Sequence, residues 1–192
     1  AVYLVLSNVP KERIKDVIYI CHCTPGYTLA YNHFRNKYNP NPGKRADDYT
    51  QNIRCLYPLN WGPGMDHLFH HGFFAIQLVP NCNLRHLPIL LDLENKEGDP
   101  LRSKLFDILE KYGNPEAKRF WHNDLHKYNK GDLKPIINKL SSVFLDPDTA
   151  KAFAYSGVPK FDLRECMDQS KIIIIYEPSG MLGTAGDFDA SL

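Results

Sequence analysis

The sequence has no C-x-x-C pair, no H-E-x-x-H helix, no G-x-S-x-G elbow and no lysine-bearing phosphate loop. Those absences remove zinc ribbons, zinc proteases, elbow-type serine hydrolases and self-contained Walker A nucleotide binding as readings from local motif. No apolar run is long enough for a membrane-spanning helix. The opening "AVYLVLSNVP" lacks the basic flank and the length of a signal peptide. It also lacks an initiator Met, so a fragment or processed product is expected. Charge of either sign is barely in excess, at +1, which argues neither for nor against nucleic acid. Five cysteines, an odd number at irregular spacing, do not make a disulfide scaffold, and reduced thiols in a cytoplasmic protein are expected. Internal repeats and low-complexity segments are absent.

What is present is a globular composition, 43% apolar over 192 residues, enough for one domain with a core or a small one plus an insertion. "DVIYI" (16–20) reads as a short β-branched strand, and "GYTLAYN" as a second extended piece. "RNKYNPNPGKR" (35–45) reads as a loop, because repeated Asn-Pro and Gly deny both helix and ladder. From Pro63 the period turns helical, with Met65, Leu68, Phe69, Phe73, Ile76 and Val79 on one stripe ended by Pro80. Leu101, Leu105, Ile108, Leu109 and Tyr112 mark another helix. Asn114-Pro115 is a cap and first-turn pair leading into Ala117, Phe120, Trp121, Leu125 and Tyr128. Leu133, Ile136, Ile137, Leu140 and Phe144 form one more stripe, and "LDPDTAKAFAYSG" a short helix closed by Gly157. "KIIIIY" then returns to β, and four consecutive Ile suit a strand covered on both faces of a parallel sheet. The fold class expected is α/β: a partial sheet interrupted by a large all-α insertion.

The turn after that strand carries Gly180, Gly183 and Gly186 in G-x-x-G-x-x-G spacing, which matches neither Walker A nor the dinucleotide fingerprint. A structural turn is the expected reading, with Ser179, Gly180 and Gly183 as weak nucleotide-binding candidates. His67 and His71, like His122 and His126, stand four apart, a spacing that can share a metal. His67, His70 and His71 fall mostly opposite the Leu68/Phe69 stripe, where solvated histidine is ordinary, so no metal site is expected. Between Arg102 and Lys139 stand nine Lys or Arg against five Asp or Glu, an excess that suits phosphates or an ordinary solvated surface equally. Asp124 falls inside an apolar stripe and calls for an ion-pair partner, Arg119 or a neighbouring Lys.

Five segments occur in one order: "VPKERIKDVIYI…YTLAYN", "NWGPGMDHL", "AKRFWHNDL", "PIINKLSSVFLDP" and "FDLRECMDQSKIIIIYEPSGMLG". Together they resemble the middle of a conjugative DNA-transfer ATPase, the type IV secretion coupling-protein kind within the HerA/FtsK-like motor superfamily. The resemblance implies a RecA-like sheet with an all-α domain inserted between strands, in a homo-oligomeric ring that moves DNA with ATP and Mg²⁺. It places Walker A before this chain and Walker B after it, so the chain alone is expected to use no cofactor and have no catalytic residue. Implied divisions are a motor-core segment at 1–62, the insertion at 63–157 and a returning core strand at 158–192. Implied DNA or partner contacts are Lys118, Arg119, Lys127, Lys134 and Lys139; residues matching the family's frame are Trp61, Gly62, Trp121, Asn138, Arg164 and Asp168. Relaxase-like or secretion proteins are further implied partners.

The chain departs from the family at charged positions. Gly64 replaces a basic residue, His70 and His71 replace an Arg-Asn region, and Cys21-His22 replaces Asp-Pro. Tyr176 to Met181 replaces Asn-Leu-Ser-Lys-Gly-Arg. Alternatives are therefore a stand-alone helical module that binds protein or DNA, or a degenerate homologue without catalysis. Residues 2–7 favour a strand by themselves, whereas the resemblance makes them the end of a helix, which is the reading preferred.

Overall fold

The computed structural model describes residues 2–21, 32–34, 41–112, 114–145, 147–156 and 162–176. It is mostly helical, with one small parallel sheet, which agrees with a mixed α/β class. Residues 2–7 form α1 (Val2–Ser7), so the helical reading holds against local propensity. Its side chains are not buried: Tyr3 is 90% exposed and Leu4 72%. A 3₁₀ turn, Lys11–Asp16, feeds β1 (Val17–Cys21).

The helical unit starts earlier than the sequence suggests. α2 (Pro42–Leu56) occupies part of the expected 35–45 loop. Asn41 caps it, its side chain accepting from the Lys44 amide, and Pro42 sits in the first turn. The Asn-Pro pair that looks like a helix breaker is a helix start. α2 packs on α3 (Pro63–Leu78), and its Ala46, Tyr49 and Ile53 enter the same core.

α3 is the axis of this unit. Leu68, Phe69 and Gly72 to Gln77 are all buried, as expected of a helix surrounded by others. Trp61 stacks on Phe69 at 5.2 Å, Phe69 on Phe73 at 5.6 Å, and Phe34 on Phe73 at 5.8 Å, a continuous aromatic row. α4 (His86–Leu91) crosses close by, and a Cβ at Gly72 would sit 3.1 Å from Leu87 Cγ. α5 (Asp99–Tyr112), α6 (Pro115–Arg119), α7 (Lys130–Phe144) and α8 (Pro147–Ala154) complete the layer. The Asn114 cap is present, and Asn129 and Asp132 form a capping box on α7. Gly157 and the extended piece at 26–31 lie outside the described residues.

α9 (Leu163–Asp168) leads into β2 (Ile172–Tyr176). It ends in a Schellman turn: the Lys171 amide donates to Cys166 at 2.8 Å and the Ser170 amide to Met167 at 2.9 Å. Ser170 takes the left-handed position, φ 55°, where Gly is usual. β2 pairs with β1 in parallel, Val17 opposite Ile172 through Cys21 opposite Tyr176. A clasp fixes this register. Asp16 receives Lys171 and Arg13, each at 2.9 Å, and Arg13 also donates to the Ser170 carbonyl. Those cations, Lys171 foremost, hold the Asp16 carboxyl below its ordinary range.

One expectation about β2 needs correction. Its four isoleucines are not covered on both faces: Ile172 to Ile174 are half-buried and Ile175 is 54% exposed. With β1 its only strand neighbour among the described residues, the sheet is too narrow to bury it. No helix among the described residues is long and apolar enough to cross a membrane.

Candidate functional site

Three of the expected contact residues, Lys118, Arg119 and Lys127, gather around one irregular stretch. α6 does not continue as an α-helix: at Phe120–Asp124 it widens into a π turn, then tightens to 3₁₀ at Leu125–Lys127. This change of pitch turns Phe120, Trp121 and Leu125 inward together. The charged residues are left outside. Such single π turns recur at functional sites.

Outside, each cation meets a carboxylate of the same chain. Lys118 pairs with Glu110 at 2.7 Å, and Arg119 with Glu116 at 2.8 Å and Asp124 at 3.2 Å. Lys127 pairs with Asp124 at 2.5 Å. The expected partner set of Asp124 is therefore present, and Lys127 and then Arg119 hold its carboxyl below the usual range. Three cations face three carboxylates, so the patch is close to neutral as folded. These pairs are largely exposed and screened by water, so a polyanion of high charge density can compete for the cations. On α7, Lys134 is exposed and the Lys139 ammonium lies 5.2 Å from the centre of the Tyr57 ring. Arg102, counted in the basic excess, is not on this surface; it is 5% exposed and bonded inside the fold.

Inside, the histidines of α3 meet the π turn. The expectation that His67, His70 and His71 are solvated is corrected for His67 and His71, which are half-buried against the turn, while His70 stays partly exposed. His71 stacks parallel on Phe120, centroids 3.9 Å apart, and burial pushes its imidazole down to about 3. His67 shares a 2.9 Å hydrogen bond between Nδ1 and the Tyr128 hydroxyl, and burial lowers it as well. His70 Nδ1 lies 2.9 Å from Asp47 on α2. An open pocket of about 410 Å³ runs between α2 and α3, walled by Asp47, Thr50, Asp66, His67 and His70. Asp66 is held there by the Trp61 indole N–H at 2.8 Å. No group of three or more His, Cys, Asp or Glu among the described residues is arranged to hold a metal ion. The signal for a half-buried His71 was its place three residues after Leu68, on the flank of the apolar stripe rather than opposite it.

The remaining predicted positions fall at separate places. Trp61 roofs the aromatic row, and Gly62 is the N-cap of α3 with nothing near its absent Cβ. Trp121 is fully buried, with its indole N–H lacking a hydrogen-bond partner among the described residues. Asn138 is exposed on α7, and Arg164 pairs with Asp168 at 3.2 Å on the surface of α9. Ser179, Gly180 and Gly183, the weak nucleotide candidates, lie outside the described residues. No protein-family model, curated protein or solved structure matches the chain.

Proposed function

We propose that this chain is the strand-flanked helical insertion of a ring-forming, DNA-translocating ATPase of the conjugative coupling type, with a RecA-like sheet continuing from β1 and β2. One observation carries the reading: β1 and β2 are adjacent, parallel and in register although the clasp that joins them spans 155 residues. A parallel pair needs a crossover, and one helix suffices. Here the crossover contains a helical unit with its own core. This arrangement supports reading the helical unit as a domain inserted into a strand–helix–strand connection, as the resemblance implies. The apolar side chains left in water on this flank, Tyr3, Leu4, Tyr19 and Ile175, support it too. A two-stranded parallel sheet needs further strands or helices to cover it.

In this reading ATP and Mg²⁺ serve the assembled motor, and DNA passes near Lys118, Arg119, Lys127, Lys134 and Lys139. Other ring subunits and relaxase-like or secretion proteins are its protein partners, in the cytoplasm. The neutralised cations favour, as a second reading, a helical module that binds protein rather than DNA.

Fluorescence anisotropy with labelled single-stranded and duplex DNA tests the first reading. Binding is expected to fall at least tenfold (on the order of two or more phosphate contacts) between about 50 and 200 mM salt. Replacing Lys118, Lys127 and Lys134 together by Ala should reduce both affinity and salt slope. Affinity that ignores salt, or is unchanged in the triple variant, counts against a DNA role. With ATP and Mg²⁺ the chain alone should release no phosphate above a protein-free control.

A further inference from the structure

Rings of α3 and the π turn meet across their seam. His71 lies 4° from parallel with Phe120. His67 sets its ring edge-on to both, 4.6 Å from His71 and 5.0 Å from Phe120. The buried His71 Nδ1 has no hydrogen-bond partner among the described residues. A neutral imidazole tolerates that, because one ring nitrogen carries no proton. The imidazolium donates from both nitrogens, and closure would leave a charged N–H unpaired. We propose that the His67–His71 pair is an acid-operated latch: protonation of His71 parts α3 from the π turn and exposes Trp121.

The groups facing His71 do not offset that cost. On α3 these are His67 and His70, the latter occupied by Asp47 of α2. From the other side come Asp124 and Arg119, and the Asp124 carboxylate is already bonded to Lys127 and Arg119. The Tyr128 hydroxyl is engaged by His67. Burial first, then repulsion from His67 and His70, keeps His71 at about 3 in the closed seam against an ordinary 6.5. A value lowered by closure means that closure is fully favoured above the ordinary value and weakens as pH falls towards the lowered one. Within that window each unit of fall in pH raises the ratio of open to closed seam by at most about tenfold, or about 100-fold at pH 4.5 relative to pH 6.5.

The test follows Trp121 emission in a Trp61→Phe background from pH 7 to pH 4, with helical circular dichroism alongside. A red shift is expected before helical signal is lost, and His71→Phe should abolish the early shift. His71→Leu, also non-titrating but smaller, should do the same if Phe does not pack. Emission and ellipticity that change together, or a profile that both variants leave unchanged, would overturn the latch. So would an NMR titration in which His71 protonates near its ordinary value with the seam still closed.

Discussion

Replacing Arg102 by Ala is expected to lower stability by about 3–5 kcal/mol, more than any other charged residue described here. The guanidinium is a buried hub. Nη1 donates to the carbonyls of Ile89 at 2.8 Å and Asp92 at 2.9 Å, and more weakly to Leu90 at 3.3 Å. Nη2 donates to the Asn95 carbonyl at 2.5 Å and to Asp99 Oδ1 at 2.7 Å. Ile89 and Leu90 lie in the last turn of α4, where helical carbonyls lack partners. One side chain thus caps α4, shapes the following loop and anchors α5. Ala would take the donor from the Ile89 and Leu90 carbonyls, while the Asp92 and Asn95 carbonyls keep the amides of Asn95 and Gly98, and Lys would restore the charge without the planar fork. Gly98 shows how closely the site is built: a Cβ there would stand 2.3 Å from Arg102 Nη1 and 2.4 Å from the Ile89 carbonyl. Urea denaturation should show the loss, and calorimetry a melting temperature lower by on the order of 10 °C. A shift within about 1 °C would show that the hub is dispensable.

Trp121→Ala is expected to cost a similar amount, about 3–5 kcal/mol, because it empties a fully buried site in the π turn. Trp121→Phe should cost much less. The indole N–H has no hydrogen-bond partner among the described residues, so removing it forfeits no bond, and Phe keeps the edge-to-face contact with Phe120 at 5.4 Å. The two variants separate volume from polarity in one denaturation series. Equal losses for Phe and Ala would mean that the N–H has a partner that matters.

These two residues also mark the limits of reading the sequence. Stripes with caps were legible: α3 behind Pro63, α6 behind Asn114-Pro115, and α7 over Leu133 to Phe144 follow from spacing and cap chemistry. So were the two strands, since β-branched runs between turn formers have few other solutions. α2 was missed because Asn-Pro signals a break and a start equally, and only the chain that follows decides. α4 and α9 are too short for a period to show. The Arg102 hub was invisible because its acceptors are backbone carbonyls, which no side-chain pattern records. His71 was misjudged because the π turn brings Phe120 onto a helix flank that polar periodicity assigns to solvent. Trp121 could be placed in the core by its stripe, but its unpartnered N–H depends on tertiary neighbours alone.

The central claim, a helical domain inserted between neighbouring strands of a DNA motor, is tested most directly by sequencing the coding frame on both sides of these 192 codons. The account predicts an open frame running upstream into G-x-x-x-x-G-K-[ST] and downstream into an apolar strand ending in acidic residues. A start codon immediately before Ala1 together with a stop codon after Leu192 would contradict it, and would make the chain a stand-alone helical module.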